Sequence, residues 1–249
     1  MPDHKIAVVV PAAGVGSRFS NKSANNGAVE QPKQKQLLLL AGKPLYQWCL
    51  NTFASDRRIV EVVIATSQDL IATIDSEVKK LILPFKVSVI AGGASRQESV
   101  FNGLKHLENR VSSGELPIDY VLVHDAVRPL VTPDMVKATI DCVIEKQACT
   151  TGMYATDTVK EVNDGLILKT LDRDNLVMVQ TPQAGALPLL LDAHKKAREA
   201  NYIVTDDAAI LEWAGHKVYV VPGSRFNLKV TFAEDLILAE ALVKSYAFN

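Results

Sequence analysis

The residues of this chain that are best suited to chemistry are basic side chains close to glycines. Arg18 follows Gly14 and Gly16 in the stretch PAAGVGSR, residues 11–18. Glycines directly after a strand let backbone N–H groups approach phosphate oxygens, and an arginine adds a planar set of donors for the same oxygens. The pattern therefore indicates a phosphate-binding loop near the start of the chain.

Three interpretations of a ligand-binding loop compete here with a plain tight turn. A dinucleotide-binding fingerprint requires a third glycine where Phe19 stands, and an acidic residue where the chain has Ala65, Thr66 and Ser67. A Walker A loop requires a Gly-Lys-Ser/Thr sequence, which is absent. The remaining interpretation, a nucleotidyltransferase loop that holds a nucleoside triphosphate, depends on support from other segments.

Two lysines are candidates for neutralising phosphate charge. Pro32 stiffens the chain directly before Lys33, although a solvated loop lysine is the alternative interpretation. Lys229 is predicted to lie in a short strand that leads through Thr231 into a helix, with Glu234 at the capping-box position. A lysine inside such a strand has no obvious structural purpose, which favours contact with a ligand.

The stretch AGGASRQESV, residues 91–100, has two glycines between a predicted strand and a predicted helix. Ser95 is the candidate N-cap of that helix, and capping is a sufficient explanation for it. Capping does not require Gly92 and Gly93 together. We therefore expect these two glycines to let a flat base lie against the backbone.

Asp125 and Arg128 follow a buried strand in the stretch VLVHDAVRPL, residues 121–130. A carboxylate at this position can hold a metal ion or a substrate hydroxyl. An Asp–Arg ion pair that closes a turn is the alternative interpretation.

Short apolar runs alternate with longer segments of helical periodicity through most of the chain. Strands are predicted at 6–10, 60–65, 85–90, 120–124 and 217–221, and helices at 44–55, 68–80, 96–108, 133–147, 187–200, 205–214 and 232–246. Apolar strands separated by helices predict an α/β fold with a mostly parallel sheet, covered by helices on both faces. Such sheets bind ligands at the carboxyl ends of their strands.

Residues 150–183 interrupt this alternation. They contain an Asn-Asp-Gly sequence at 163–165, which is typical of a hairpin turn. A long hairpin inside an α/β domain exposes edges and apolar faces, so we predict a projecting β-arm that packs against a second copy of the chain.

Composition limits the classes of protein that remain. The 249 residues, 48% of them hydrophobic, support a single domain over 1–249, and a net charge of −1 gives no general attraction to nucleic acid or membrane. The three cysteines form no CxxC pair, and the histidines show no zinc-binding spacing. No signal peptide or membrane-spanning segment is predicted, so we expect a cytoplasmic location.

Taken together, the motifs resemble the 2-C-methyl-D-erythritol 4-phosphate cytidylyltransferases of the non-mevalonate isoprenoid pathway. The matching segments, in chain order, are PAAGVGSR (11–18), PKQ (32–34), GGASRQESV (92–100), HDAVRP (124–129), TDTVK (156–160), LDRDNL (171–176), QTPQ (180–183), TDDA (205–208) and NLKVT (227–231). Each segment alone is weakly specific. The ordered set is highly specific and extends through nearly the whole chain.

The resemblance implies a modified Rossmann-like nucleotidyltransferase fold and a homodimer formed through the β-arm. It implies that each active site borrows Thr158 and Arg173 from the neighbouring arm. The implied reaction transfers a cytidylyl group from CTP to 2-C-methyl-D-erythritol 4-phosphate and releases pyrophosphate. The substrate phosphate attacks the α-phosphorus in line, so no protein nucleophile is required.

The resemblance also assigns roles to individual residues. The implied catalytic residues are Arg18, Lys33, Arg173 and Lys229; the implied nucleotide-binding residues are Pro11, Ala12, Ala13, Gly14, Gly16, Gly92, Gly93, Arg96 and Ser99; and the implied acceptor-binding residues are Asp125, Arg128, Thr158 and Thr181. Mg²⁺ is expected to bind mainly through the CTP phosphates, with Asp125 as a candidate protein ligand.

Some alternatives stay open at this point. The interval between Arg18 and Lys33 is longer than is usual in the family, and Lys35 is a possible substitute for Lys33. The residue that follows the two glycines is often acidic in the family, and it is Ala94 in this chain. The alternative functions are a ribitol 5-phosphate cytidylyltransferase, another sugar-nucleotide or sugar-acid nucleotidyltransferase, and a nucleotide-binding module without catalysis.

Overall fold

The computed structural model describes residues 4–14 and 35–246, and its centre is a seven-stranded β-sheet. The strands in chain order are β1 (Ile6–Ala12), β2 (Leu39–Leu40), β3 (Lys43–Pro44), β4 (Ile59–Thr66), β5 (Lys86–Ala91), β6 (Tyr120–Val123), β7 (Ala148–Tyr154), β8 (Lys160–Asn163), β9 (Leu166–Thr170), β10 (Val177–Ala186) and β11 (Tyr219–Pro222). The central sheet has the order β11-β7-β10-β6-β1-β4-β5, whereas β2–β3 and β8–β9 form separate two-stranded sheets.

The central sheet is mostly parallel, as predicted. Strand β1 is parallel to both of its neighbours, with Val8 opposite Val62 on one side and Leu122 on the other. Strand β10 is antiparallel to both β6 and β7, and it is the only antiparallel member of this sheet in the described part of the chain. The carboxyl ends of β1, β4, β5 and β6 therefore lie at one edge, where a ligand site is expected.

Seven α-helices lie in the described residues and cover both faces of the sheet. They are α1 (Leu45–Phe53), α2 (Ile71–Val78), α3 (Arg96–Ser112), α4 (Pro133–Lys146), α5 (Leu187–Glu199), α6 (Asp207–Trp213) and α7 (Ala233–Tyr246). Alternate residues of β1 face opposite ways: Val8 and Val10 join a core with α1, α2 and α4, whereas Ala7 and Val9 join a core with α3, α5 and α6. Burial on both faces explains why this strand is apolar at every position.

A third apolar cluster holds the C-terminal helix and the segment that carries Lys229. Val230 and Ala239 pack there with Leu40, Leu45 and Leu130. The backbone N–H of Val230 donates to the carbonyl of Val127 at 2.9 Å. Lys229 is thereby fixed beside the end of β6.

Two expectations for this segment were wrong. Residues 228–230 have no regular secondary structure, so Lys229 does not lie in a strand. Glu234 does not complete a capping box, because the carboxylate of Asp235 accepts hydrogen bonds from the backbone N–H groups of Thr231 and Phe232, at 2.7 and 2.8 Å.

The β-arm is shorter than the predicted span of 150–183. Residues at both ends of that span belong to β7 and β10 of the central sheet, where Gln183 pairs with Thr150. Residues 155–176 lie beyond the sheet, and within them β8 and β9 form the expected hairpin. The turn residues Asp164 and Gly165 have φ angles of 47° and 82°, as a two-residue hairpin turn with both central residues left-handed requires.

In the part of the chain that the structure describes, no helix is both long enough and apolar enough to cross a membrane.

Candidate active site

A cavity of about 500 Å³ opens at the carboxyl ends of the parallel strands. Its wall brings together segments that are far apart in the chain: the loop after β1, the first turn of α3, the loop after β6 and the segment before α7. The lining residues are Pro11, Ala12, Ala13, Gly14, Lys35, Gln36, Ala94, Arg96, Ser99, Asp125, Ala126, Val127, Lys229, Val230 and Thr231. Most of the described nucleotide-binding candidates therefore surround one cavity.

The two glycines after β5 have a structural explanation within this chain. A Cβ added at Gly92 would lie 2.7 Å from the Cβ of Ala13 and 2.9 Å from the Oγ of Ser99, so glycine is needed for the two loops to approach each other. A Cβ at Gly93 would lie 2.2 Å from the Cγ of Glu98. Packing alone therefore explains both glycines, and contact with a flat base is not needed to account for them.

The loop after β5 is fixed by the first turn of α3. Ser95 is the N-cap, as predicted, and its hydroxyl accepts from the N–H of Glu98 at 3.0 Å. The buried hydroxyl of Ser99 donates to the carbonyl of Ser95 and accepts from the N–H of Gly93, at 2.9 and 3.0 Å. Ser99 thus holds the shape of the loop that faces the cavity.

A cluster of three cations and two carboxylates lies at the cavity, and three of its members, Arg96, Asp125 and Lys229, line the wall. The carboxylate of Asp125 accepts from Arg96 Nε and contacts Lys229 Nζ, each at 2.8 Å, and Arg128 Nε lies 3.8 Å away. The other side of the Arg96 guanidinium donates to Asp207, also at 2.8 Å. The Asp–Arg ion pair at the turn is therefore one edge of a larger network.

Both carboxylates of this cluster are held ionised. Burial alone would raise the pKa of Asp125, but the positive charges of Arg96 and Lys229 outweigh it and hold this pKa well below the usual range of an aspartate. The pKa of Asp207 is also lowered, because Arg96 and a hydrogen bond from His194 overcome the effect of burial. Burial lowers the pKa of Arg128. The cluster is a fixed charge array rather than a proton-transfer site.

A buried hydrogen-bond chain supports Asp125 from below. The N–H of Asp125 donates to the hydroxyl of Thr181, whose oxygen lies 3.1 Å from Nδ1 of His124. The opposite ring nitrogen of His124 lies 3.0 Å from the carbonyl of Arg128. These partners assign a neutral histidine protonated at Nε2, since the Thr181 hydroxyl donates to Nδ1 and the carbonyl can only accept.

A second cavity of about 200 Å³ adjoins the first. Its lining residues are Arg96, Asp125, Arg128, Val179, Gln180, Thr181, Gln183, Thr205, Asp206 and Lys229. Arg96, Asp125 and Lys229 line both cavities, so the charge cluster separates two compartments. The pairing of β10 with β7 is irregular between Val179 and Gln183, where the strand leaves the ladder at the second cavity.

The arm candidates do not reach either cavity of their own chain. Thr158 and Arg173 are exposed, and neither lines the cavities. Arg173 lies near the base of the hairpin, where its Nη1 donates to the carbonyl of Thr156 at 2.9 Å.

Three further candidates, Gly16, Arg18 and Lys33, lie outside the described residues. Lys35, the alternative to Lys33, lines the larger cavity, and its Nζ donates to the carbonyl of Thr231.

Sequence reasoning gave no individual role to three residues that support the site. Asp207 holds Arg96, and the side chain of Gln183 accepts from the N–H groups of Asp207 and Ala208 at 2.8 and 2.9 Å. The carbonyl of Asn227 accepts from Arg128, at 2.7 Å. All three lie inside the matched segments TDDA, QTPQ and NLKVT, so the segments indicated their positions but not their contacts.

The described residues do not fit a protein metal cage. No group of three or more His, Cys, Asp or Glu side chains among them could hold an ion. Both carboxylate oxygens of Asp125 face cations, an arrangement that disfavours a divalent cation at the same group. A role for Asp125 as a metal ligand therefore gains no support from its surroundings.

The sheet, the loops at its carboxyl edge and the cationic cavity define the chain as an α/β nucleotidyltransferase. The family model for 2-C-methyl-D-erythritol 4-phosphate cytidylyltransferases matches residues 6–245. The chain belongs to this family.

Individual relatives agree with the family assignment. The chain is 38% identical over 247 residues to the 2-C-methyl-D-erythritol 4-phosphate cytidylyltransferase of Solibacter usitatus, covering 98% of this chain and 97% of the relative. It is 35% identical to the Bacillus mycoides enzyme of the same name, and the match covers 95% of this chain and 96% of the relative.

Solved structures are similar over nearly the full length. The 4-diphosphocytidyl-2C-methyl-D-erythritol synthase of Anaerococcus prevotii has a TM-score of 0.79 and 27% identity, covering 97% of this chain and 99% of its own. The 2-C-methyl-D-erythritol 4-phosphate cytidylyltransferase of Francisella tularensis has a TM-score of 0.73 and 30% identity, covering 95% and 99%.

Proposed function

We propose that this chain transfers a cytidylyl group from CTP to 2-C-methyl-D-erythritol 4-phosphate, giving 4-CDP-2-C-methyl-D-erythritol and pyrophosphate. The observation that supports this proposal most directly is that three members of the charge cluster, Arg96, Asp125 and Lys229, line two adjoining cavities. Transfer of a cytidylyl group needs such a geometry, because the attacking phosphate and the leaving pyrophosphate must lie on opposite sides of the reacting phosphorus atom.

The larger cavity is the proposed CTP compartment. The segment from Pro11 to Gly14 contains the end of β1 and the start of the loop that follows, where backbone N–H groups of α/β proteins face phosphates. A Cβ added at Gly14 meets no atom within 4 Å among the described residues, so this glycine leaves open space on the cavity wall. Arg18 and Lys33 are proposed to neutralise charge on the α-phosphate and on the leaving pyrophosphate.

The smaller cavity is the proposed acceptor compartment. Lys229 lines this cavity, is 43% exposed and supplies positive charge by which the phosphate of the acceptor would be held. Asp125 is ionised and can accept hydrogen bonds from acceptor hydroxyl groups. Arg128 and Thr181 complete this wall.

Catalysis is proposed to rest on position and charge. An oxygen of the acceptor phosphate attacks the α-phosphorus of CTP, a new P–O bond forms, and the bond to pyrophosphate breaks in line. The attacking phosphate is already ionised at neutral pH, so no general base is needed. The low pKa of Asp125 suits this role, since a permanently ionised group orients ligands without exchanging protons.

Magnesium is proposed to enter as part of the substrate, bound mainly through the phosphate oxygens of CTP. No step is assigned to a protein-bound ion, because the described residues form no metal cage. The ion would reduce the negative charge of the triphosphate.

The active form is proposed to be a homodimer in the cytoplasm. Large apolar side chains of the arm and its neighbouring strand ends are exposed in the single chain, including Leu166 at 68%, Ile167 at 58% and Tyr154 at 62%. A second copy would cover this surface and bring its Thr158 and Arg173 to the acceptor compartment.

The test is pyrophosphate release across a grid of substrates with Mg²⁺. Each of the four nucleoside triphosphates is combined with 2-C-methyl-D-erythritol 4-phosphate, ribitol 5-phosphate or buffer. Release is expected with CTP and methylerythritol phosphate. Release only with ribitol 5-phosphate would mean that this compound is the acceptor and that the transfer reaction is the same. The absence of release in every well would favour a nucleotide-binding module without catalysis.

A further inference from the structure

Behind the charge cluster lies a buried aspartate–histidine pair that the proposed reaction does not use. Asp207 and His194 are each 1% exposed, and His194 Nε2 lies 3.1 Å from one carboxylate oxygen of Asp207. The other oxygen accepts from Arg96 Nη1, at 2.8 Å. A continuous set of contacts therefore runs from His194 on α5, through Asp207 and Arg96, to Asp125.

This set fixes Arg96 between two carboxylates. Its Nε is bound by Asp125 and its Nη1 by Asp207, while Nη2 is buried and has no hydrogen-bond partner among the described residues. Because Nη2 has essentially no accessible surface, it cannot bind a ligand in this arrangement. Arg96 therefore acts as a brace between Asp207 and Asp125.

The backbone of Asp207 and its neighbour Asp206 are also held by Gln183. The side-chain oxygen of Gln183 accepts from the backbone N–H of Asp207 at 2.8 Å, and the side-chain nitrogen of Gln183 donates to Asp206 at 2.9 Å. The first turn of α6 is thereby attached to β10, directly beside the smaller cavity. A group held this firmly can set the position of the arginine in front of it.

We propose that Asp207, supported by His194, is a positioning residue for the acceptor compartment. Asp207 keeps Arg96 bound to Asp125 through Nε alone. One oxygen of Asp125 then stays 2.8 Å from Lys229 and available to the acceptor. This inference rests on the proposed function.

Removal of the negative charge of Asp207 leaves Nη1 of Arg96 without an ionic partner. The buried guanidinium would then turn so that Nη2, which shares an edge with Nε, also pairs with Asp125. A bidentate pair of this kind is the strongest arrangement available to it. Asp125 would turn toward Arg96 and away from Lys229. The acceptor compartment would change while the segment from Pro11 to Gly14 keeps its place.

The experiment compares Asp207→Asn with Asp192→Asn, an exposed position on α5 that carries the same change of side chain. We expect Asp207→Asn to lower kcat/KM for the acceptor by on the order of 10²-fold, through a higher KM for the acceptor and with little change in the KM for CTP. Asp192→Asn should match the wild type. Equal losses toward both substrates, or no loss, would overturn the proposal.

His194 provides an independent pair of variants. His194→Gln keeps a side-chain N–H that can reach Asp207, so its acceptor KM should stay close to that of the wild type. His194→Leu removes the donor and leaves a buried carboxylate oxygen without a partner, so its acceptor KM should rise. A rise of equal size in both variants would contradict positioning by this hydrogen bond.

A readout that does not depend on turnover separates this proposal from the proposed function. The NMR signal of the Arg96 Nε–H group, assigned by its loss in Arg96→Lys, should have a different chemical shift in Asp207→Asn than in the wild type, because its pairing with Asp125 changes, and the same shift as the wild type in Asp192→Asn. An unchanged chemical shift in Asp207→Asn would overturn the brace. Absence of turnover in the wild type would instead overturn the proposed function and leave the chemical-shift comparison to decide the brace.

Discussion

Asp125 combines deep burial with a full negative charge because three cationic side chains surround it. A buried carboxylate would ordinarily become neutral, and here Arg96 and Lys229 prevent this. The arrangement costs desolvation energy but gives a charge that is fixed before any ligand arrives. At the residue scale, the site is therefore a preorganised set of charges, and its members can be tested one at a time.

Lys229→Ala tests the most exposed member of this set. Its Nζ lies 2.8 Å from Asp125 and faces both cavities, so its loss should lower kcat/KM by on the order of 10²-fold or more. The thermal unfolding midpoint should change little, because the side chain is 43% exposed. Steady-state kinetics and a melting curve measure both quantities. Lys217→Ala, at an exposed loop lysine, is the control, and wild-type turnover in Lys229→Ala would remove this residue from the site.

His124 should make the stability of the protein dependent on pH. Burial lowers its pKa to about 4, below the value of about 6.5 in an unfolded chain. The folded state thus binds fewer protons than the unfolded state. Stability is fully present above pH 6.5 and falls as the pH decreases toward 4, by about 3 kcal/mol at most. Asp125 and Asp207, with lowered pKa values, lose their contributions only at still lower pH.

Urea unfolding at pH 7.0, 5.5 and 4.5 checks this expectation. His124→Gln should show a smaller decrease in the free energy of unfolding over this interval, since the titrating group is gone. Parallel pH dependence in the two proteins would mean that His124 is not the buried neutral base.

At the scale of loops and strands, the two glycine-containing loops of the site need glycine for different reasons. Gly92 lies against Ala13 and Ser99, whereas Gly14 has no neighbour within 4 Å of an added Cβ among the described residues. One glycine thus permits the chain to pack, and the other leaves space on the cavity wall.

Gly92→Ala and Gly14→Ala should separate these two reasons. Gly92→Ala forces Ala13 or Ser99 to move and should lower stability by about 1–3 kcal/mol. Gly14→Ala should leave stability close to that of the wild type but raise the KM for CTP, because the added methyl group enters the space proposed for the nucleotide. Thermal melts and CTP kinetics on both variants provide the comparison. A large loss of stability in Gly14→Ala would show that this loop also depends on close packing.

The periodicity of the sequence was sufficient for the helices and for the strands β1, β4 and β6, because burial on both faces leaves an apolar run of the right length. It was insufficient at β7 and β10, most of whose residues were assigned to the arm by the hairpin pattern around Asp164 and Gly165. Pairing partners of a strand are set by distant residues and do not appear in its own pattern. The contacts of Asp207 were missed for the same reason, since Arg96 lies 111 positions away along the chain.

At the scale of the whole molecule, the single chain carries the residues of both compartments but leaves its arm exposed. Val162, Leu166, Ile167 and Leu168 of the hairpin are each more than half exposed. Thr158 and Arg173 lie on the same arm and line neither cavity of their own chain. If the proposed dimer forms, the two sites contain residues from both subunits, and this arrangement has a quantitative consequence.

Dimers built from one Arg173→Ala subunit and one Lys229→Ala subunit should regain activity. In such a hybrid, one site combines an intact Lys229 with the intact Arg173 of the partner, and the other site lacks both. Random pairing makes about half of the dimers hybrids with one working site of two, so a mixture should recover about one quarter of wild-type activity. Co-expression with two different affinity tags isolates the hybrid itself, which should show about half of wild-type activity.

The matched control pairs Lys229→Ala with Asp125→Asn. Both of these residues line the cavities of one chain, so each site of that hybrid carries one defect and activity should not return. Recovery in the first hybrid and not in the second requires that Arg173 act across the dimer. Without recovery in a purified Arg173→Ala and Lys229→Ala hybrid, Arg173 would have to act within its own subunit, and the exposed arm would need another partner.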